Sequence, residues 1–229
     1  MTKLSIIIPT LNEEKGILNT LQAIPREELV KMGYEVEVIV IDGVSGDSTK
    51  EIARNAGANV IIEPKLGYGR AYKIGFAQAS GEIIVTADAD HTYPVEDIPA
   101  LLDIFNSNQL QFLTTNRFAY MTKDAMSAKH RVGNTILSLE VKLLYGLNMR
   151  DPESGMWIFQ KKILDDLKVS SNYWPFSHEL KIEACFYSKC RWQEIGIKYR
   201  GRAGKSKITS GWAVGFWDLF HIFQKRFVR

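Results

Sequence analysis

The stretch Glu82-Ile-Ile-Val-Thr86-Ala87-Asp88-Ala89-Asp90 decides the fold class and locates a site. Its first half is a short run of apolar, mostly β-branched residues, which predicts a buried strand. Its second half places two carboxylates directly beyond the end of that strand. Ligands of open α/β sheets bind beyond the carboxyl ends of the strands. The stretch therefore predicts both a sheet and a functional site at its edge.

Three further strand–helix units precede this stretch. Strands are predicted over residues 4–8, 35–41 and 59–62, and helices over 17–24, 45–56 and 69–79, the first of them capped by Thr10 or Asn12. This alternation of strands and helices is typical of the α/β class, with a mostly parallel sheet flanked by helices.

The order of elements is looser beyond residue 95. Helices are predicted over residues 95–106, 127–145 and 178–189, and strands over 111–115, 156–160 and 192–199. In the long helix, Ile136, Leu139, Leu143 and Leu144 are expected to face the core. The sequence contains no internal repeat or low-complexity linker, so we expect one catalytic domain over residues 1–208 and an appended helix over residues 209–229.

The charge of the chain is concentrated at one end. Of its 229 residues, 45% are hydrophobic and 24% charged, as in ordinary globular proteins. Residues 196–229 carry eight Lys or Arg against Asp218 alone, whereas the rest of the chain is slightly acidic. This asymmetry indicates contact with phosphate or anionic lipid. Because no recognition-fold pattern accompanies the basic segment, a nucleic-acid partner is not expected.

The last segment has the composition of an interfacial helix. Aromatic and apolar residues repeat at a spacing of three to four and share one face: Trp212, Phe216, Leu219, Phe220, Phe223 and Phe227. Basic residues end the segment. This pattern predicts an amphipathic helix that lies on a membrane surface, with packing on the domain or against a second copy as the alternatives. No run of 18 apolar residues occurs, and two cysteines fit a cytoplasmic location.

Asp88 and Asp90 are the first candidates for chemistry. Two carboxylates that bracket one residue can share a hard cation such as Mg2+ or Mn2+, which completes its shell with water and diphosphate oxygens. A metal held in this way neutralises the charge of a departing nucleoside diphosphate.

Two other loops at the same edge carry polar groups. Asp42 follows the second strand and opens the segment Asp42-Gly43-Val44-Ser45-Gly46-Asp47, where its carboxylate can accept hydrogen bonds from a base or a ribose. The loop Lys65-Leu66-Gly67-Tyr68-Gly69-Arg70 opens a helix, and a helix N-terminus suits a phosphate group.

Together these motifs resemble the inverting family-two glycosyltransferases of the GT-A fold. The resemblance rests on Pro9-Thr10-Leu11-Asn12-Glu13, on Asp42 with Ser45 and Asp47, on Gly67-Tyr68-Gly69-Arg70-Ala71, and on Asp88-Ala89-Asp90. Asp151-Pro-Glu-Ser154-Gly155 and Tyr199-Arg200-Gly-Arg202-Ala-Gly-Lys205-Ser-Lys207 are similar to the dolichol-phosphate mannose synthase and polyprenyl-phosphate hexosyltransferase branch.

The resemblance implies a set of roles. The donor nucleotide sugar would contact Pro9, Thr10, Asn12, Glu13, Asp42, Lys65, Gly67, Asp88, Ala89 and Asp90. The metal would bind Asp88 and Asp90. The phosphate groups of acceptor and donor would meet Arg117, Arg131, Ser154, Arg202 and Lys207, and Asp90, Arg117, Arg131 and Arg202 would carry catalysis. Two positions depart from the family pattern, since Gly43 follows Asp42 and Thr92 follows the aspartate motif where a metal-binding Gln is common.

The predicted reaction is metal-dependent, inverting transfer of a hexose from a GDP- or UDP-sugar to a polyprenyl or dolichyl phosphate, at the cytoplasmic face of a membrane. A phosphate monoester is already an anion and needs no general base, only orientation and charge screening. If the acceptor is instead a sugar hydroxyl, Glu153 or Glu179 would serve as base. A nucleotidyltransferase and a non-catalytic nucleotide-sugar-binding protein remain as further alternatives.

Overall fold

A computed structural model describes residues 1–122, 125–202 and 211–228. Its strands are β1 (Thr2–Thr10), β2 (Tyr34–Asp42), β3 (Asn59–Ile62), β4 (Ile83–Thr86), β5 (Phe112–Asn116), β6 (Trp157–Gln160) and β7 (Trp192–Gly196). Its helices are α1 (Ile17–Gln22), α2 (Arg26–Lys31), α3 (Thr49–Asn55), α4 (Tyr68–Gln78), α5 (Ile98–Ser107), α6 (Ala128–Tyr145), α7 (Phe176–Ile182) and α8 (Gly211–Phe227). A π-helical turn, Glu183–Tyr187, continues α7.

The strands form one sheet in the order β3-β2-β1-β4-β6-β5-β7. Strands β1 to β4 pair in parallel, β6 runs antiparallel to both of its neighbours, and β7 is parallel to β5. The predicted mostly parallel α/β sheet is confirmed. The antiparallel β6 has a consequence for the site, because the loop that enters β6 reaches the same sheet edge at which β4 ends.

Helices cover both faces of the sheet. Along β1, Ile6 and Ile8 point into one core with α1, α3 and α5, whereas Ile7 between them points into a second core with α4, α6, α7 and α8. All three isoleucines are fully buried. Successive side chains of a strand face opposite sides, so a strand buried on both faces requires the continuous apolar run that the sequence shows.

The boundaries of the first helices differ from the predicted ones. α1 begins after Gly16 without a side-chain cap, because Asn12 accepts a bond from the Gly46 amide and Thr10 donates to Asp42 instead. α3 begins at Thr49 rather than at residue 45, since the preceding residues form a hydrogen-bonded turn. The side chains expected to cap or extend these helices therefore connect loops to each other.

The inward face of α6 was predicted wrongly. Leu137, Val141 and Tyr145 are buried, whereas Ile136, Leu139 and Leu143, which were expected inside, are exposed. Leu144 is half-buried. The helix carries two apolar stripes, and the periodicity of the sequence does not distinguish which of them faces the core. The second stripe is left on the surface.

The C-terminal segment forms the predicted amphipathic helix, with side chains described from residue 214 onward. Its buried face contains Asp218, Ile222 and Lys225, while Phe216, Trp217, Phe220, Phe223 and Phe227 are exposed. Leu219 is half-buried, and the side chain of Trp212 lies outside the described part. α8 packs on α6 and α7, with the Tyr145 hydroxyl donating to the Ile222 carbonyl. The aromatic side chains therefore form an outer surface on a helix that is attached to the domain.

Elsewhere in the second half the predictions hold with shifted ends. α7 begins at Phe176 instead of residue 178, and β7 ends at Gly196 instead of residue 199. Within the described residues, no helix is long and apolar enough to cross a bilayer.

Candidate functional site

A cavity of about 810 Å³ opens at the carboxyl ends of β1, β2 and β4. Cavities of this size are typical of ligand sites. It extends from the loops after β1 and β2, past the aspartate motif, to the gap between α6 and α8. The predicted site residues that line it are Pro9, Thr10, Glu13, Lys65, Gly67, Asp88, Ala89, Asp90, Arg117 and Arg202. The sheet edge thus gathers most of the residues that the sequence singled out.

Asp90 is held in place by two neighbours. One carboxylate oxygen accepts bonds from the backbone amide (3.1 Å) and the hydroxyl (2.7 Å) of Thr92. The other lies 3.0 Å from the Arg202 guanidinium, which also pairs with Glu13. Thr92, where the family pattern often has Gln, therefore orients the Asp90 carboxylate.

Asp88 faces the cavity beside Asp90. Burial, followed by the nearby Asp90 carboxylate, raises the pKa of Asp88 to about 7, although Arg117 and Arg202 act in the opposite direction. A neighbouring carboxylate disfavours the ionised form of Asp88. Gly16 permits this packing, since a Cβ at that position would lie 2.7 Å from the Asp90 Cα.

The aspartate pair fits a hard divalent cation. Its donors are carboxylate oxygens, and a cationic guanidinium already lies on Asp90. Within the described residues no group of three or more His, Cys, Asp or Glu side chains is arranged to hold a metal. The remaining ligands would therefore be water and diphosphate oxygens, as Mg2+ and Mn2+ accept.

Arg117 is fixed by a buried carboxylate. Asp151 accepts bonds from its Nε (2.7 Å), its Nη2 (2.8 Å) and its backbone amide (3.0 Å). Burial acts to raise the pKa of Asp151, but the Arg117 guanidinium and amide together with Lys181 lower it overall. The guanidinium also lies over the Tyr199 ring. A paired planar cation of this kind suits phosphate recognition.

Beside the loops after β1 and β2, Asp42 is fully buried and is not part of the cavity lining. Its carboxylate accepts bonds from the Thr10 hydroxyl (3.1 Å), the Ser45 amide (2.8 Å) and the Ser45 hydroxyl (2.5 Å). The bonds from Ser45 to this carboxylate hold the loop after β2 in place. The lining here comes instead from Pro9, Leu11, Gly43, Glu63, Lys65 and Leu66.

Three other predicted residues lie apart from the described lining. Asn12 is exposed and holds the Gly46 amide. Arg131 is exposed on the first turn of α6. Ser154 is fully buried, and its hydroxyl bonds the Thr115 hydroxyl at 2.6 Å. Lys207 lies outside the described residues.

Aromatic side chains form the middle of the cavity wall. Tyr68 stacks on Trp174, with ring centroids 5.0 Å apart. Gly155 lies against Tyr68 and Asp88, because a Cβ there would be 2.7 Å from the Tyr68 hydroxyl and 3.3 Å from Asp88 Oδ1. The loop that enters β6 is therefore in contact with the aspartate motif.

The two candidate bases have different surroundings. Glu179 is fully buried, pairs with Lys225 and accepts bonds from the amides of Ser170 and Ser171. Glu153 lines the cavity and bonds His178 at 2.7 Å. Of these two carboxylates, Glu153 is the one placed to meet a ligand.

Sequence reasoning missed several residues around Glu153. His178 bonds both Glu153 and His221, and Asp218 of α8 lines the cavity. Lys181 is fully buried, and its ammonium donates to the carbonyls of residues 151, 152 and 154. Only one weak signal existed, the polar residues within the apolar stripes of α7 and α8.

Comparisons with known proteins agree with this geometry. Residues 5–168 match the model of glycosyl transferase family 2. A low-salt glycan biosynthesis hexosyltransferase of Haloferax volcanii is 34% identical over 91% of this chain and 51% of its own length. A dolichyl-phosphate hexose transferase of the same organism is 33% identical over 93% of this chain and 90% of its own. This chain thus spans about half of the first relative and most of the second.

Solved structures show the same fold. Glucosyl-3-phosphoglycerate synthase from Mycobacterium tuberculosis, in complex with Mn2+, UDP-glucose and phosphoglyceric acid, aligns with a TM-score of 0.76. The alignment covers 98% of this chain and 79% of the synthase chain, at 20% sequence identity. The match to the family model covers well over half of the chain. The chain belongs to glycosyl transferase family 2 and has the GT-A fold that its sequence predicted.

Proposed function

We propose that this chain transfers a hexose from a nucleotide sugar to a polyprenyl phosphate, with inversion and with Mg2+ or Mn2+ as cofactor. One observation carries the proposal: a single cavity joins the aspartate pair and two arginines to the apolar surface of α6 and α8. The named relatives act on dolichyl phosphate or make glycans, which supports the same acceptor class.

The chain's own residues orient the two reactants. Asp151 holds Arg117 by two bonds to its guanidinium, so this cation is positioned before the phosphate arrives. Arg202 pairs with Asp90 and Glu13. A phosphate oxygen would form the new bond to the anomeric carbon as the bond from that carbon to the diphosphate oxygen breaks. Electrostatic preorganisation of this type is a large part of enzymatic rate enhancement.

A divalent metal on Asp88 and Asp90 would screen the charge of the departing nucleoside diphosphate. Thr92 keeps Asp90 oriented for that role. Because the attacking phosphate is an anion throughout, no proton needs to be removed from the acceptor.

The lipid part of the acceptor would approach from a surface that we name the apolar face, formed by Val132, Ile136, Leu139 and Leu143 of α6 and Phe216, Trp217, Phe220, Phe223 and Phe227 of α8. All nine side chains are exposed, and Ile136 and Phe216 also line the cavity. Soluble monomers rarely expose contiguous apolar patches of this extent. We propose that this face lies on the cytoplasmic leaflet and that the chain is a peripheral membrane enzyme.

The reaction is tested with GDP-mannose, UDP-glucose and UDP-N-acetylglucosamine, each with Mn2+ and a polyprenyl phosphate. We expect a chloroform-extractable sugar from one donor, and its loss in an Asp90→Asn variant. Hydrolysis of a donor without a lipid product would refute the phosphate acceptor. It would favour the second candidate, transfer to a sugar hydroxyl, for which the cavity-facing Glu153 is the base.

The apolar face is tested by sedimentation with anionic phospholipid vesicles. Phe220 is 57% exposed, and burying a phenyl ring in the interface is worth about 1.5–3 kcal/mol. Phe220→Glu is therefore expected to weaken vesicle binding by about tenfold or more. Gln22→Glu, which adds one negative charge at an exposed position of α1 on the other face of the sheet, is the matched control. Equal binding by both variants would exclude this face from the membrane.

A further inference from the structure

The inner end of the cavity contains a cluster of polar side chains for which the reaction described above has no use. It lies between the loop that enters β6, α7 and α8, and its lining includes Glu153, Ser177 and Asp218. Gly155, two residues beyond Glu153, lies against Asp88. The loop that carries Glu153 therefore also contacts the aspartate motif.

Glu153 is held by a chain of two histidines. His178, which is fully buried, lies with Nδ1 2.7 Å from Glu153 Oε1 and with Nε2 3.0 Å from His221 Nδ1. Because both ring nitrogens of His178 are engaged, its ring has one orientation, and Glu153 Oε1 is fixed with it. Among the side chains that the structure describes, His178 is the hydrogen-bond partner of Oε1, and Oε2 of Glu153 is left for a ligand.

Asp218 supplies a hydrogen-bond donor, whereas Glu153 supplies an acceptor. It is 4% exposed, it lines the cavity, and its Oδ1 has no hydrogen-bond partner among the described residues. Burial, followed by the nearby Glu153 carboxylate, raises the pKa of Asp218 to about 9. Asp218 is therefore protonated at neutral pH and can donate a hydrogen bond. An unpartnered polar atom in a cavity indicates a ligand that completes it.

The ligand that fits is a neutral polyol. A carboxylate accepts hydrogen bonds from hydroxyl groups, and a protonated acid donates to a hydroxyl oxygen. The two acids can therefore hydrogen-bond different hydroxyl groups of one sugar ring. A phosphate would be repelled by the Glu153 charge. A hydrocarbon chain would leave Oδ1 of Asp218 without a partner and would desolvate Glu153, which costs binding energy.

We infer that Glu153 and Asp218 form the pocket that reads the hydroxyl groups of the donor hexose, and that His178 and His221 position Glu153 for this contact. The inference rests on the proposed function, because it assumes a nucleotide sugar as donor. It assigns sugar selectivity to the loop before β6 and to α8. Discrimination by such a site is strong, since a substrate without the matching hydroxyl leaves buried polar groups unpaired.

The test compares two ligands of one protein by calorimetry with Mn2+. Each variant of the full chain is titrated with the nucleotide sugar that binds wild type most tightly in the donor panel, and with the corresponding nucleoside diphosphate. We expect Glu153→Gln to weaken the affinity for the nucleotide sugar by about 10- to 100-fold. The affinity for the nucleoside diphosphate should change by less than about twofold. Asp218→Ala should show the same selective loss. Glu140→Gln removes a neighbouring carboxylate outside the described lining and is the matched control.

The histidines are tested as positioning residues. His178→Ala should reproduce the selective loss of nucleotide-sugar affinity, and His178→Asn, which keeps a donor near the Nδ1 position, should restore part of it. If His178 had a merely structural role, His178→Ala would weaken the affinity for both ligands equally. His178→Asn would then not restore the affinity for the nucleotide sugar. Thermal unfolding of each variant confirms that it is folded.

The outcomes separate this inference from the proposed function. Equal affinity losses for both ligands in Glu153→Gln, or no loss in either, would overturn the hexose pocket even if lipid-linked sugar is formed. Unchanged binding with a turnover loss of about 10²-fold or more would also overturn it and identify Glu153 as a base. Selective loss without any lipid product would uphold the pocket and refute the acceptor instead.

Discussion

Lys181 provides a prediction whose magnitude follows from the structure. Its side chain is fully buried, and its ammonium donates to the carbonyls of Asp151 (3.1 Å), Pro152 (2.8 Å) and Ser154 (2.8 Å). Burial lowers its pKa from 10.5 to about 8, although the carboxylates of Asp151 and Glu153 act in the opposite direction. This one cation holds the loop that carries the cavity-facing Glu153.

The lowered pKa makes the stability of the protein depend on pH with a definite sign. Between pH 8 and 10.5 the unfolded chain keeps the Lys181 proton that the folded chain has lost, so raising the pH favours the folded state. Between pH 7.5 and 9.5 the free energy of unfolding should gain about 2 kcal/mol from this lysine. The isosteric Lys181→Met variant lacks this contribution.

The assay is urea unfolding of wild type and Lys181→Met at both pH values under reducing conditions. The difference in unfolding free energy, wild type minus variant, should rise by about 2 kcal/mol from pH 7.5 to pH 9.5. Lys3→Met, at an exposed lysine of β1, controls for the loss of a lysine as such. Parallel pH dependences of wild type and Lys181→Met would refute the lowered pKa of Lys181.

Three further predictions concern the site itself. Arg117→Lys keeps the charge but loses the two parallel hydrogen bonds to Asp151. The free energy of unfolding, measured by urea titration, should therefore fall by about 1–3 kcal/mol. Turnover in the lipid-product assay should fall by more than about tenfold. Thr92→Val removes the hydroxyl that holds Asp90, and Mn2+ affinity by calorimetry should weaken by about 10- to 100-fold. Gly155→Ala would press a methyl group against the Tyr68 hydroxyl, which should lower unfolding free energy by about 1–3 kcal/mol in the same urea assay.

The sequence predicted the part of the fold that local patterns determine. Continuous apolar runs marked β1, β2 and β4, and parallel strands bring their carboxyl ends to one edge, so the position of Asp88 and Asp90 followed from the order of elements. The placement of β6 did not follow. An antiparallel strand inserted between two others is a long-range pairing, and nothing in residues 157–160 distinguishes it from a parallel one.

The details of the site depend on contacts between distant elements. Glu153 and His178 are separated by 25 residues, and His178 and His221 by 43, so no local spacing indicates their hydrogen bonds. Asp42 shows the converse case. The sequence predicts that its carboxylate contacts the donor, and the structure adds that it bonds Ser45 of the following loop and Thr10 at the end of β1. An aspartate followed three residues later by serine is also typical of a turn in which the aspartate side chain accepts a hydrogen bond from a nearby backbone amide.

The attachment of α8 has a practical consequence for work with shortened chains. Lys225, near the end of α8, is buried and lies 3.0 Å from Glu179 and 2.7 Å from Glu183. Removal of one partner of a buried ion pair costs about 3–5 kcal/mol. A chain trimmed to improve solubility would lose the aromatic surface and, with it, the cation that neutralises two interior carboxylates. Charged substitutions on the outer side of α8 would improve solubility and leave that cation in place.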